Sequence, residues 1–181
     1  MKEFIFVIIW LPLICFSQEE FSFNLSFEDS FGNRDTLNLG YDPISTDSID
    51  LAFGEVNING QVWNSSFEAR TFENYFVPDT SMLKRDIRPI ESYIAVLVKF
   101  NGSELYLSWD STLFNLSVNQ GSSIDSDLTT LNFLADNSNA ALQKSDLSQF
   151  VIGNDTLHRL YVNFSGTFSS IDNDEENKTK I

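Results

Sequence analysis

The sequence predicts an all-β protein, an antiparallel β-sandwich, immunoglobulin-like or jelly-roll-like, of about eight to ten short strands. Three observations carry that reading. Apolar and polar residues alternate with a period of two over several stretches. Turn-forming residues separate those stretches, and no segment sustains a helical period.

The first seventeen residues are set apart from the fold. Lys2 supplies a positive start, Phe4 to Cys15 form a twelve-residue apolar run, and Cys15-Phe16-Ser17 reads as a cleavage site. A signal peptide over 1–17 is expected, with the mature chain starting near Gln18. The run is too short for a spanning helix, which needs about 20 apolar residues. Acylation of Cys15 is the lesser alternative, since Ile14 is bulky for a lipoprotein cleavage site. No transmembrane segment is expected in the mature chain.

Within the domain predicted over 18–168, Phe21, Phe23, Leu25 and Phe27 alternate with Ser22, Asn24, Ser26 and Glu28. Residues 30–33 read as a turn, and Thr36 to Leu39 as the return strand. After an irregular stretch over 40–54, Val56, Ile58 and Val62 resume the alternation, and Phe67 to Phe72 follow as a short strand. Glu73 to Pro89 reads as irregular, with a basic cluster at Lys84, Arg85 and Arg88. The run Ile94-Ala95-Val96-Leu97-Val98 predicts a buried strand over 92–100. Asn101-Gly102 then predicts a tight hairpin into Glu104–Trp109, and Asp110-Ser111 joins that strand to one over Thr112–Val118. Leu128–Leu134, Phe150–Ile152 and Leu157–Phe164 complete the strands, and 135–147 is the one stretch where a short helix is plausible. From Ser169 the chain turns polar and charged, so 169–181 is expected to be a disordered acidic tail.

Charge and composition exclude several functions. With 11 Lys and Arg against 26 Asp and Glu the net charge is −15, which repels nucleic-acid phosphates. A single Cys makes no internal disulfide and no Cys-rich zinc site. Asn-x-Ser/Thr triplets begin at Asn24, Asn64, Asn101, Asn115, Asn154, Asn163 and Asn177. Several belong to polar strand faces rich in Asn and Ser.

The segment Asp35-Thr36-Leu37-Asn38-Leu39-Gly40, Asp42, Ser45-Thr46-Asp47-Ser48-Ile49-Asp50 and Gly54-Glu55 resembles a block found in secreted proteins of the Bacteroidetes. There it reads approximately Asp-Thr-x-x-x-Gly, Ala-Thr-Asp-x-x-Asp, Gly-Glu. Phe67-Glu68-Ala69-Arg70, Asp86-Ile87-Arg88 and Leu107-Ser108-Trp109-Asp110 follow in the same order, so the resemblance spans about residues 21–165. It departs at Ser45, where Ala is usual. The resemblance implies a β-sandwich module of an exported protein, of a kind often joined to a type IX secretion sorting domain. No such domain is expected in this chain, and the resemblance brings no activity with it.

Two groups of residues are candidate sites. Asp42, Asp47, Asp50 and Glu55 share one loop, and no Lys or Arg lies between Arg34 and Arg70. Carboxylates held together repel one another unless a cation sits among them, so a calcium site is one expectation. The alternative is that these side chains shape turns by bonding to backbone. On a strand over 55–63, Asn57, Asn59, Gln61 and Trp63 would project together, and amides beside an indole suit a sugar. The alternative there is an ordinary solvated face with Trp63 covered by a loop. Catalysis has little support: His158 is the only imidazole, and it alternates onto the face of Leu160, Val162 and Phe164. The expected function is an exported, non-enzymatic binding or structural module of the cell envelope, its partner an envelope protein or a glycan. The alternative is a carbohydrate-active protein, a sugar-binding module or a small glycosidase.

Overall fold

The phenylalanine side of the first alternating stretch is buried, as its period predicts. In a computed structural model of the chain, residues 19–72, 81–89, 93–114, 122–126, 130–132 and 137–164 are described. The expected leader over 1–17 and tail over 169–181 lie outside them. Strand β1 (Phe21–Asp29) pairs antiparallel with β2 (Arg34–Tyr41), with Leu25 opposite Leu37 and Phe27 opposite Asp35. Asp29 shapes the turn between them. One oxygen of its carboxylate accepts the backbone N–H of Phe31 at 2.9 Å and of Asn33 at 3.0 Å.

The later strands are β3 (Glu68–Phe72), β4 (Met82–Leu83), β5 (Arg85–Arg88), β6 (Tyr93–Lys99), β7 (Glu104–Ser108), β8 (Ser123–Asp125), β9 (Thr130–Asn132), β10 (Asn139–Gln143), β11 (Ser148–Ile152) and β12 (Asp155–Asn163). Two sheets result. A five-stranded sheet has the order β10-β7-β1-β2-β5. A seven-stranded sheet has the order β4-β3-β6-β12-β8-β9, with β11 also on β12. β12 divides its free edge: residues 155–159 pair with β11 and residues 161–163 with β8. The protein is therefore an all-β sandwich.

The core lies between the sheets. Phe23, Leu25, Leu37, Leu39 and Leu107 meet Ala69, Ile94, Val96, Leu160 and Val162. One end of this core is aromatic, with the rings of Phe21, Phe23, Phe114 and Phe164 at centroid distances of 5.0 to 6.1 Å. A second cluster forms on the outer side of the seven-stranded sheet, where Trp63, Phe72, Met82, Leu97, Leu157 and Tyr161 pack together. β6 is thus covered on both faces, which is why its sequence is continuously apolar.

Several expectations are corrected. Asn101-Gly102 does not close a hairpin, because β6 spends both edges on β3 and β12 while β7 pairs with β1 and β10. The two residues carry the chain from one sheet to the other, and Gly102 is needed for closeness. A Cβ there would lie 2.4 Å from Ser30 Oγ. Residues 56–62 form no strand, and Val56 and Val62 are exposed rather than buried. Ser111–Phe114 is a 3-10 turn, not the start of a strand; 115–118 lie outside the described residues. The stretch considered for a helix holds β10 and a 3-10 turn over Lys144–Asp146. The stretch read as irregular holds β4 and β5, and β5 runs parallel to β2, so the antiparallel pattern is broken once.

Gly40 is squeezed between β1 and this parallel neighbour. A Cβ at this position would lie 2.2 Å from the Phe21 carbonyl oxygen and 2.9 Å from Ile87 Cδ1. Gly40→Ala is therefore expected to cost about 1–3 kcal/mol by overpacking. It would appear as a lower denaturation midpoint, and an unchanged midpoint would show that β1 and β5 move apart freely.

Candidate functional site

The acidic loop is held by backbone N–H groups and by two arginines that come from far along the chain. Asp42 is buried; it accepts the Glu20 N–H at 3.0 Å through one carboxylate oxygen and the Ile44 N–H at 2.9 Å through the other. Asp50 accepts the Thr46 N–H at 2.6 Å. Glu55 is fully buried, and its two oxygens accept the N–H groups of Ile87 and Asp50, each at 2.6 Å. Arg88, itself buried, forms a two-bond pair with Asp86 and donates to the Asp47 carbonyl. Arg85 donates to the Phe53 carbonyl and pairs with Glu19 at 2.7 Å.

β5 thus ties down the loop's backbone, while the arginine charges are paired with Glu19 and Asp86 rather than with the loop carboxylates. Burial works against the Arg88 cation, and Asp86, with Glu55 and Asp47 beyond it, more than offsets it. Burial pushes the Glu55 carboxyl up to about 7 against the pull of its two N–H donors and Arg88, with the Asp86 carboxylate adding to the rise. Among the described residues no three His, Cys, Asp or Glu side chains are gathered as a metal site. Asp42, Asp50 and Glu55 hold backbone N–H groups, which is the turn-shaping arrangement.

The proposed amide face over 57–63 is not formed either. Asn59 and Gly60 make a turn, with Gly60 at φ 83°. Asn57 turns its side-chain oxygen to the N–H groups of Asn59 at 2.8 Å and Met82 at 3.3 Å. Trp63 is buried beneath the Arg70 guanidinium, which stands 4.2 Å from its ring. Arg70 also donates to the carbonyls of Gln61 at 3.0 Å and Val62 at 3.1 Å, and pairs with Glu68 through two bonds. The loop is pinned to β3, and the indole is part of the pin. Glu68 and Arg70, two apart on one strand and hence on one face, are the sequence signal for this clamp.

His158 lies on the inner face beside Leu160, as the alternation predicts, and is 4% exposed. Its ring sits 5.0 Å from that of Phe100, and neither nitrogen has a hydrogen-bond partner. Burial, helped by the Lys144 ammonium, lowers its pKa to about 4. A buried neutral imidazole of that kind is poorly placed to take a proton from a substrate.

The outer face of the five-stranded sheet is the surface with binding character. The register lays its residues in three rows across the strands. Asn24 stands beside Asn38, and Ser26 lies between Thr36 and Ser108. Glu28 lies between Arg34 and Tyr106. Two depressions join along β1, sharing Ser26 and Ser108; one extends toward Asn24, Asn38 and Asp110, the other toward Glu28 and Arg34. Tyr106 is 41% exposed, and its hydroxyl donates to Glu104 at 2.6 Å. The lining of both depressions is dominated by hydroxyls, amides and carboxylates. No family model, curated protein or solved structure matches the chain.

Proposed function

We propose that the chain is an exported, non-catalytic binding module whose ligand surface is the outer face of the five-stranded sheet. The groove along β1, continuous through Ser26 and Ser108, is the observation that carries this reading. A sheet backed by a close-packed core holds such a surface in one shape, so little ordering is needed when a ligand arrives. The leader over 1–17 and the resemblance to exported Bacteroidetes modules support export to the cell envelope.

The test uses an insoluble envelope fraction of the producing cell. The mature protein is expected to be retained, and Ser26→Arg and Ser108→Arg, which fill the groove at its centre without touching the core, are expected to release it. Circular dichroism would establish that both variants remain folded. No retention of the wild-type protein, or equal retention of the blocked variants, overturns the reading.

A further inference from the structure

We infer that this face takes a neutral, hydroxyl-rich glycan chain laid along β1 from Asn24 to Tyr106, an inference that rests on the sheet face being the binding surface. Hydrogen bonds orient the groups at its first end. Arg85 donates to the side-chain oxygen of Asn38, and the Asn38 amide donates to the Asn24 oxygen at 3.0 Å. An amide whose oxygen is so engaged turns its NH₂ group away from its neighbour. The relay therefore ends on the Asn24 amide as a donor at the exposed end of the row. In the next row Ser26 and Thr36 share one hydroxyl–hydroxyl bond of 3.2 Å, which leaves the pair with a further donor and lone pairs. Fixed donors beside adaptable hydroxyls match sugar hydroxyls, which both give and accept.

The charged groups on the face already have partners. Arg34 is held by Glu28 at 2.9 Å. The Asp110 carboxylate accepts from the Thr112 N–H and hydroxyl, and Glu104 accepts from Tyr106 and from Gln143. With its cations engaged and a chain charge of −15, the surface repels phosphates, sulfates and acidic polysaccharides. The ligand that fits is uncharged.

At the far end the phenol of Tyr106 is anchored through its hydroxyl. Ala141 is its cross-strand neighbour on β10, and so small a side chain covers little of a ring beside it. A half-exposed ring suits the C–H face of a pyranose. From Asn24 to Glu28, the residue level with Tyr106, the strand advances about 13 Å, room for a few sugar units. An extended peptide is the less suited occupant, because peptides add to sheet edges, where free backbone groups continue the ladder. This groove crosses the interior strands β2, β1 and β7 and offers side chains only.

The deciding experiment compares the envelope fraction before and after periodate oxidation, which cleaves vicinal diols. Retention is expected to fall at least tenfold after oxidation and to be competed by one or more neutral oligosaccharides in a panel of glucans, xylans and mannans, but not by polygalacturonate. Tyr106→Ala is expected to weaken retention about tenfold, the scale of one lost aromatic contact. Val151→Ser, an exposed change in the other sheet, should leave it unchanged. Undiminished retention after oxidation together with no competition by any neutral oligosaccharide, with Ser26→Arg still releasing the protein, would overturn the glycan and keep the face. Retention that survives Ser26→Arg would overturn the face itself.

Discussion

Arg70→Met is expected to cost about 3–5 kcal/mol of folding stability. The guanidinium is almost fully buried, and its neighbours are committed to it. Glu68 lies in two-bond contact, the carbonyls of Gln61 and Val62 accept from it, and the Trp63 ring stacks beneath it. Methionine fills much of the volume but supplies no donor and no charge, so both carbonyls lose their partner and the Glu68 carboxylate its counter-charge. The Glu68 carboxyl matters as well. Burial raises its pKa, and Arg70, the Asn64 N–H and Lys84 bring it below the ordinary value, so the carboxylate depends on this cation. Urea titration of Arg70→Met and Arg70→Lys should show both destabilised, Lys the less so, because an ammonium keeps the charge but not the planar fork. A loss below about 1 kcal/mol in Arg70→Met would show that the loop over 58–63 holds itself.

The same clamp explains why residues 55–63 read as a strand. Val56, Ile58 and Val62 have the period of one, yet only Ile58 packs against the apolar cluster, and Val62 is 92% exposed. Period two reports a face only where a neighbouring strand fixes the pleat, and no described strand flanks this segment on both sides. The loop is instead tied down by Arg70, seven residues past Trp63, and by Met82, nineteen past it. Asn101-Gly102 misleads for a related reason. The pair favours a tight turn locally, but whether two strands pair is decided by which edges remain open, and both edges of β6 are taken.

Where local pattern and long-range pairing agree, the sequence is transparent. β1, β2, β6 and β12 carry alternation or continuous apolarity that matches their burial, and His158 lies on the face its spacing assigns. β5 was opaque because Arg85, Asp86 and Arg88 look like a solvated run. Its charges are in fact the partners of a loop more than thirty residues earlier. The candidate face was half legible. Ser22, Asn24, Ser26 and Glu28 plainly form the polar side of β1, but only the register brings Asn38, Ser108 and Tyr106 beside them. Sequence spacing alone does not tell a groove from an ordinary wet surface.

Stability is expected to be nearly flat between about pH 4.5 and 6.5, and His158→Phe is expected to expose a decline of about 2–3 kcal/mol as pH rises from 4.5 to 7. Two buried groups titrate in opposition. His158 is lowered from 6.5 to about 4. As pH falls through that window the unfolded chain gains a proton that the folded protein refuses, so stability falls toward acid. Glu55 is raised from 4.5 to about 7. Between those values the folded protein keeps a proton that the unfolded chain has released, so stability falls as pH rises. Each effect is worth about 3 kcal/mol when fully developed, and over the shared window they oppose one another. Phenylalanine keeps an aromatic ring against Phe100 and removes the imidazole, leaving the Glu55 slope alone. Glu55→Gln should give the converse, a stability that rises from pH 4 to 6.5 on top of an overall loss, because an amide cannot accept from both the Ile87 and Asp50 N–H groups through its two ends. Below about pH 4.5 all forms should weaken as hydrogen-bonded carboxylates such as Asp29 and Glu68 take up protons, since both lie below their ordinary values in the fold. Denaturant midpoints measured at half-unit steps from pH 4 to 7.5 would decide it. If His158→Phe kept a flat profile, the Glu55 carboxyl would be ionised throughout, held so by its two N–H donors and Arg88.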